Sequence, residues 1–148
     1  LSGNKRRPKA FLACYLVLIR EGKILLSRRA NTGFQDGKYS MVAGHLEDRE
    51  TVWDAIVREA EEEAGLTLDP KGLRIVHVSH RQDIDREYVD FYVMSDTKEE
   101  PRNLEPEKCD DLGWFDVKNP PKNVIPYVRA AIDCINRKEF YSESIISS

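Results

Sequence analysis

The chain has 148 residues, 41% hydrophobic and 33% charged, with a formal charge of −3 and a pI near 5.7. That length suits one domain around a single hydrophobic core, and the composition excludes a disordered chain. The mild acidity supplies no global attraction to nucleic acid or anionic membrane. The longest apolar run, Phe11 to Ile19, is far short of the ~20 residues that a spanning helix needs.

In chain order, Lys5-Arg6-Arg7-Pro8-Lys9 reads as a solvated, flexible basic leader over residues 1–9, and the apolar run that follows has no small-residue cleavage pattern behind it. Phe11 to Ile19 is apolar on both alternating faces, as in a central strand covered on each side. Glu21-Gly22 supplies a turn, and Lys23 to Ser27 returns as a hairpin partner. Residues 30–38 are turn formers and predict an exposed loop, and Tyr39 to Val42 predicts a short strand ending at Ala43-Gly44.

A helix follows, with Asp48 or Thr51 as N-cap and Gly65 as a left-handed C-cap. Leu73 to His80 and Tyr88 to Met94 alternate in period two, with Val89, Phe91 and Val93 on one face and Tyr88, Asp90 and Tyr92 on the other. Asp96 to Asp111 reads as loop and Leu112 to Val117 as a short strand. Ile125, Val128, Ile132 and Ile135 mark an amphipathic helix with Pro126 in its first turn. Three widely spaced cysteines, Cys14, Cys109 and Cys134, read as free thiols and suit a reducing, cytoplasmic setting. This order is α+β, a mixed sheet between helices, with the domain over residues 10–138 and a C-terminal tail over 139–148.

The helix after Gly44 carries the chemistry. At about 100° per residue from Val52, Glu59, Glu62 and Glu63 fall at about 340°, 280° and 20°, while Glu61 lies near 180°. Val52, Trp53, Ile56, Val57 and Ala60 form the apolar stripe beside that patch. Carboxylates at i, i+3 and i+4 repel one another, and the repulsion grows where solvent screening is weak. Oxygen ligands without a Cys or His set favour a hard divalent cation, Mg²⁺ or Mn²⁺. A solvated acidic helix is the alternative for the glutamates taken alone.

The full stretch reads Gly44-x5-Glu50-x7-Arg58-Glu59-Ala60-x-Glu62-Glu63-x-Gly65-Leu66. It resembles the Nudix box at every charged and glycine position, departing only at Ala60, where the family carries a bulky aliphatic residue. The resemblance implies an αβα sandwich and Mg²⁺- or Mn²⁺-dependent hydrolysis of a nucleoside diphosphate linked to another group. Carried over by position, Glu59, Glu62 and Glu63 would be metal ligands with the Ala43 carbonyl beside them. Glu62 or Glu63 would be the general base, and Glu50 and Arg58 would pair to brace the catalytic centre. Such families recruit a further acid from a distant loop; Glu107 and Asp110 are the candidates, with solvated loop acids as the alternative.

A nucleotide also needs cations for phosphate and flat surfaces for its base. Arg28 and Arg29 end a strand, so one should face the site and the other turn away. His45 either contacts phosphate or lies on the surface, and Trp114, Phe115 and Tyr127 either stack a base or fill the core. Glu105-Pro106-Glu107-Lys108-Cys109 resembles the corresponding segment of Nudix nucleoside triphosphate diphosphatases. That resemblance favours cleavage of (deoxy)nucleoside triphosphates, or modified forms, to monophosphate and pyrophosphate. The compact length disfavours ADP-ribose, which stands with dinucleoside polyphosphates as an alternative substrate; a catalytically idle nucleotide- or protein-binding module is the other alternative. The expected partner is a small nucleotide rather than a nucleic-acid polymer or membrane, with the protein a monomer or homodimer.

Overall fold

A computed structural model describes residues 5–145. The basic leader and the tail read from the sequence therefore lie partly outside the described residues, at 1–4 and 146–148. The elements are β1 (Phe11–Val17), β2 (Ile19–Arg20), β3 (Lys23–Arg29), β4 (Tyr39–Ser40), β5 (Ala43–His45), α1 (Val52–Ala64), β6 (Leu73–Gln82), β7 (Glu87–Ser95), β8 (Cys109–Asp116), α2 (Pro126–Asn136) and β9 (Tyr141–Ile145). Among these residues no helix is long and apolar enough to cross a membrane.

A mixed five-stranded sheet runs in the order β5-β1-β7-β6-β9, with β1 parallel to β7 and β6 parallel to β9. A smaller antiparallel sheet joins β2, β3, β4 and β8. Alternation along β1 explains the layering. Ala13, Tyr15 and Val17 pack with Val128, Ala131 and Ile132 of α2. Cys14, Leu16 and Leu18 pack with Ala55, Ile56, Ala60 and Ala64 of α1. The two helices therefore cover opposite faces, in an α+β sandwich.

Several boundaries differ from the sequence reading, among them the start of β8, at Cys109 rather than Leu112. The apolar run from Phe11 is not one strand: its backbone changes sheets at Leu18, whose carbonyl accepts from Leu25 N–H at 3.0 Å. The strand expected over Tyr39 to Val42 is likewise divided, β4 pairing with β3 and β5 with β1. Finally, the 139–148 tail holds β9. His77, fully buried, fastens it through the Glu139 carbonyl and Ser142 Oγ, each at 2.8 Å.

Both ends of α1 are chemically fixed. Thr51, rather than Asp48, is the N-cap, and Thr51 and Asp54 exchange side chain-to-backbone hydrogen bonds in a capping box. Gly65 closes the helix at φ 66°, where a side chain would be strained, and its N–H donates to the Ala60 and Glu61 carbonyls. The helix buries Ala55, Ile56, Ala60 and Ala64, with Val52, Trp53 and Val57 at the border of the stripe. Burying Ile56 alone stabilises the fold by about 1.5–3 kcal/mol. The three fully buried alanines bring the helix backbone, and with it the glutamates, close to the sheet.

Candidate active site

Glu59 and Glu63 point from α1 toward β5, and Gly44 is what lets them lie there. A Cβ on Gly44 would overlap the Glu59 carboxylate, so the absent side chain is the space that Glu59 occupies. Glu59 is consequently only 12% exposed, whereas Glu62 is 56% exposed. Burial, followed by the hydrogen bond from the neighbouring Glu59 and its charge, pushes the Glu63 carboxyl well above the usual carboxylate range, against the Ala43 backbone amide. Such a pair of carboxyls needs a positive charge or a shared proton between them.

Arg58 supplies part of that charge. Its Nε and Nη2 donate to both Glu50 oxygens at 2.8 and 2.9 Å, the fork geometry of a bidentate pair. Its Nη1 reaches Glu59 at 2.5 Å and Glu62 at 3.5 Å, and Nη2 also reaches the His45 carbonyl at 3.2 Å. The Arg58 hydrogen bond, with the Glu47 N–H, draws the Glu50 carboxyl down to about 2. Glu50 and Arg58 thus tie the loop after β5 to the first turns of α1.

Glu59, Glu62 and Glu63 line one cleft at different depths, Glu59 against the sheet and Glu62 toward solvent. Among the described residues no three His, Cys, Asp or Glu side chains gather in ligating geometry. Arg58 Nη1 lies between Glu59 and Glu62, at 2.5 and 3.5 Å, while Glu63 stays beside the Ala43 backbone. The donor set still fits a hard divalent ion: it is all oxygen, anionic and half-shielded, and its two inner carboxyls are already in contact.

These glutamates line a cleft of about 530 Å³ whose far wall comes from the loops after β3 and before β8. Arg102 and Leu104 donate backbone N–H to the Ala64 and Glu63 carbonyls at 2.9 and 3.1 Å, holding the second loop against α1. That places Glu105 and Lys108 in the cleft wall, and Glu105 near enough to bear electrostatically on Glu63. Glu107 and Asp110 stand elsewhere. Glu107 is exposed, contributing its carbonyl to Asn31 Nδ2 at 2.9 Å, and Asp110 pairs with Arg28 at 2.6 Å. The acid this loop brings to the cleft is Glu105, a position that sequence spacing did not single out.

The paired arginines divide as strand alternation requires. Arg29 lines the cleft, held by the Phe34 carbonyl at 2.7 Å and Thr32 Oγ1 at 3.1 Å; Arg28 turns away to Asp110 and the Tyr39 ring. A second cleft, of about 560 Å³, adjoins the first and shares Arg29, Ser40 and Ala43 with it. Its walls include Tyr15, Phe34, His45, Tyr88 and Tyr127. Of the aromatic candidates, Tyr127 therefore reaches a cleft, whereas Trp114 and Phe115 pack against the two cores. Arg81 also lines this cleft and was missed from sequence. Its signal was an arginine on an alternating strand, on the same parity as the core-facing His77 and Ser79.

A family model for the NUDIX domain matches residues 9–132. An ADP-ribose pyrophosphatase from Methanocaldococcus jannaschii is 39% identical over 67 residues, covering 45% of this chain and 39% of that protein. The chain therefore spans well under half the length of that curated relative. Among solved structures, a MutT NUDIX hydrolase from Burkholderia pseudomallei superposes with a TM-score of 0.76 at 26% identity, over 84% of this chain and 97% of its own. A MutT protein from Methanosarcina mazei Go1 shares the fold at a TM-score of 0.76 and 16% identity, over 90% and 98% of the two chains. The domain match over most of the chain, on a fold that carries the glutamate helix against β5, shows that it belongs to the Nudix hydrolase family.

Proposed function

We propose that the protein hydrolyses the pyrophosphate linkage of a small nucleotide with Mg²⁺ or Mn²⁺, releasing pyrophosphate from nucleoside triphosphates or modified forms of them. The observation that carries this reading is the charge of the first cleft. Glu47, Glu59, Glu62, Glu63 and Glu105 face Arg29, Arg58 and Lys108, an acidic excess that repels a polyphosphate unless cations enter with it. A second cleft, walled in part by aromatic rings, opens beside it and offers room for the nucleoside.

Glu59, Glu62 and Glu63, with the Ala43 carbonyl, would hold the divalent ion, which when bound supplies charge neutralisation of the phosphates and a more acidic water. Glu62, the most exposed of the three, is the carboxylate free to accept a proton from the attacking water. Arg29 and Lys108 neutralise phosphate oxygens on the opposite wall, and Arg58 with Glu50 keeps α1 and its approach loop in register. The free thiols Cys14, Cys109 and Cys134 suit a reducing cytoplasm.

A nucleotide panel with Mg²⁺ and product identification tests this reading. Monophosphate plus pyrophosphate from triphosphates is the expected result. The similarity to an ADP-ribose pyrophosphatase supports a second reading, which predicts AMP plus ribose 5-phosphate from ADP-ribose. Absence of turnover across the panel would replace both with a binding role.

A further inference from the structure

Arg81 is only 6% exposed, yet it forms part of the wall of the second cleft. Its Nε and Nη2 donate side-on to the two oxygens of Asp90, at 2.5 and 3.3 Å, and Asp90 is fully buried and also accepts from Ser79 Oγ. The guanidinium lies between two rings, 3.7 Å from the centre of Tyr127 and 4.3 Å from that of Tyr88. Ion pair and aromatic contacts together fix the plane of the group.

A guanidinium has two forks. The side-on fork is spent on Asp90, while Nη1 makes no hydrogen bond to any described residue. The end-on fork, Nη1 with the second Nη2 proton, is thus an immobilised pair of donors at the wall of a nucleoside-sized cleft. A surface arginine would pay conformational entropy to present such a pair; this one is ordered beforehand.

We infer that Arg81 reads the base of the nucleotide, selecting bases that place a carbonyl oxygen beside an acceptor nitrogen. Guanine does so through O6 and N7 and cytosine through O2 and N3. Adenine sets an N6 amino group beside N7 and so opposes a donor to a donor. Asp90, Tyr88 and Tyr127 act as positioning residues for the fork. This inference rests on the nucleotide reading above, but base preference and hydrolysis can be measured apart.

Calorimetric titration with GMP, CMP and AMP in the presence of Mg²⁺ reads base preference without turnover. GMP or CMP is expected to bind about tenfold or more tightly than AMP, the discrimination typical of a bidentate arginine contact. Arg81→Lys retains a cation beside Asp90 but loses the fork, and should bring the preferred nucleotide down to the AMP level while leaving AMP unchanged. Equal binding of all three by the wild type overturns the inference without any variant, and so does an equal loss for all three in Arg81→Lys. Base preference without hydrolysis of any triphosphate would sustain the inference and remove the proposed activity. Hydrolysis without base preference would do the reverse.

Discussion

Gly44→Ala should impair metal binding while leaving the fold in place. Gly44 does not have positive φ, so alanine meets no backbone strain there. The clash is with the Glu59 side chain: the new Cβ would fall within contact distance of Oε1, Cδ and Cγ together. These atoms belong to the far end of a flexible chain and can swing aside. The unfolded-state gain of a Gly→Ala change, about 0.4–1 kcal/mol, offsets much of the local crowding. Net stability should therefore shift by no more than about 1 kcal/mol. Swinging Glu59 aside takes it from the space over Gly44 and breaks its contact with Glu63. Displacing even an outer-shell group at a metal site typically costs 10–100-fold in affinity, or about 1.4–2.7 kcal/mol, and Glu59 is a proposed ligand. The assay is a Mg²⁺ titration of turnover, paired with a urea melt in EDTA. The expected result is a midpoint raised at least tenfold with a near-wild-type melt. A wild-type Mg²⁺ midpoint would refute the placement of Glu59 at the cation.

Other consequences are equally accessible. Arg58→Ala removes the bidentate contact and leaves Glu50 and Glu59 half-buried without their cation; urea denaturation should show a loss of about 1–3 kcal/mol. Because Arg58 and the Glu47 amide draw Glu50 below its ordinary value of 4.5 to about 2, its stabilisation is complete above pH 4.5 and lost as pH falls toward 2. Acid titration of stability in Glu50→Gln should lack that component of the slope. Ser142→Ala leaves the buried His77 Nε2 without its partner, and a melt should register a loss of about 1–3 kcal/mol.

Helix α1 was legible because its information is local: Thr51, Gly65 and the glutamate spacing lie within one turn or two of what they specify. The division of Arg28 from Arg29 was also legible, since strand alternation leaves only one of them facing the cleft. What the sequence hid depends on long-range pairing. Glu105 reaches the cleft because the backbone of residues 102–104 bonds to the end of α1, and no spacing near Glu107 announces that contact. Arg81 faces the second cleft because β6 and β7 pair so that Ser79 lies opposite Asp90. Tyr141–Ile145 lacks an apolar alternation, being bound instead by backbone and by His77. The angular argument groups Glu59, Glu62 and Glu63, and all three line the first cleft; what helix angles omit is Arg58 Nη1 lying between Glu59 and Glu62.

The most direct test of the account compares pyrophosphate release by the wild type and Glu63→Gln, with a melt of each protein in Mg²⁺ and in EDTA. Glutamine keeps the hydrogen-bonding shape beside Glu59 but removes the second carboxylate. The account predicts a folded variant whose turnover falls by orders of magnitude and whose Mg²⁺-dependent stabilisation, about 2.7 kcal/mol in the wild type at a hundred times the dissociation constant, is lost. Wild-type turnover and an unchanged Mg²⁺ shift in Glu63→Gln would contradict it.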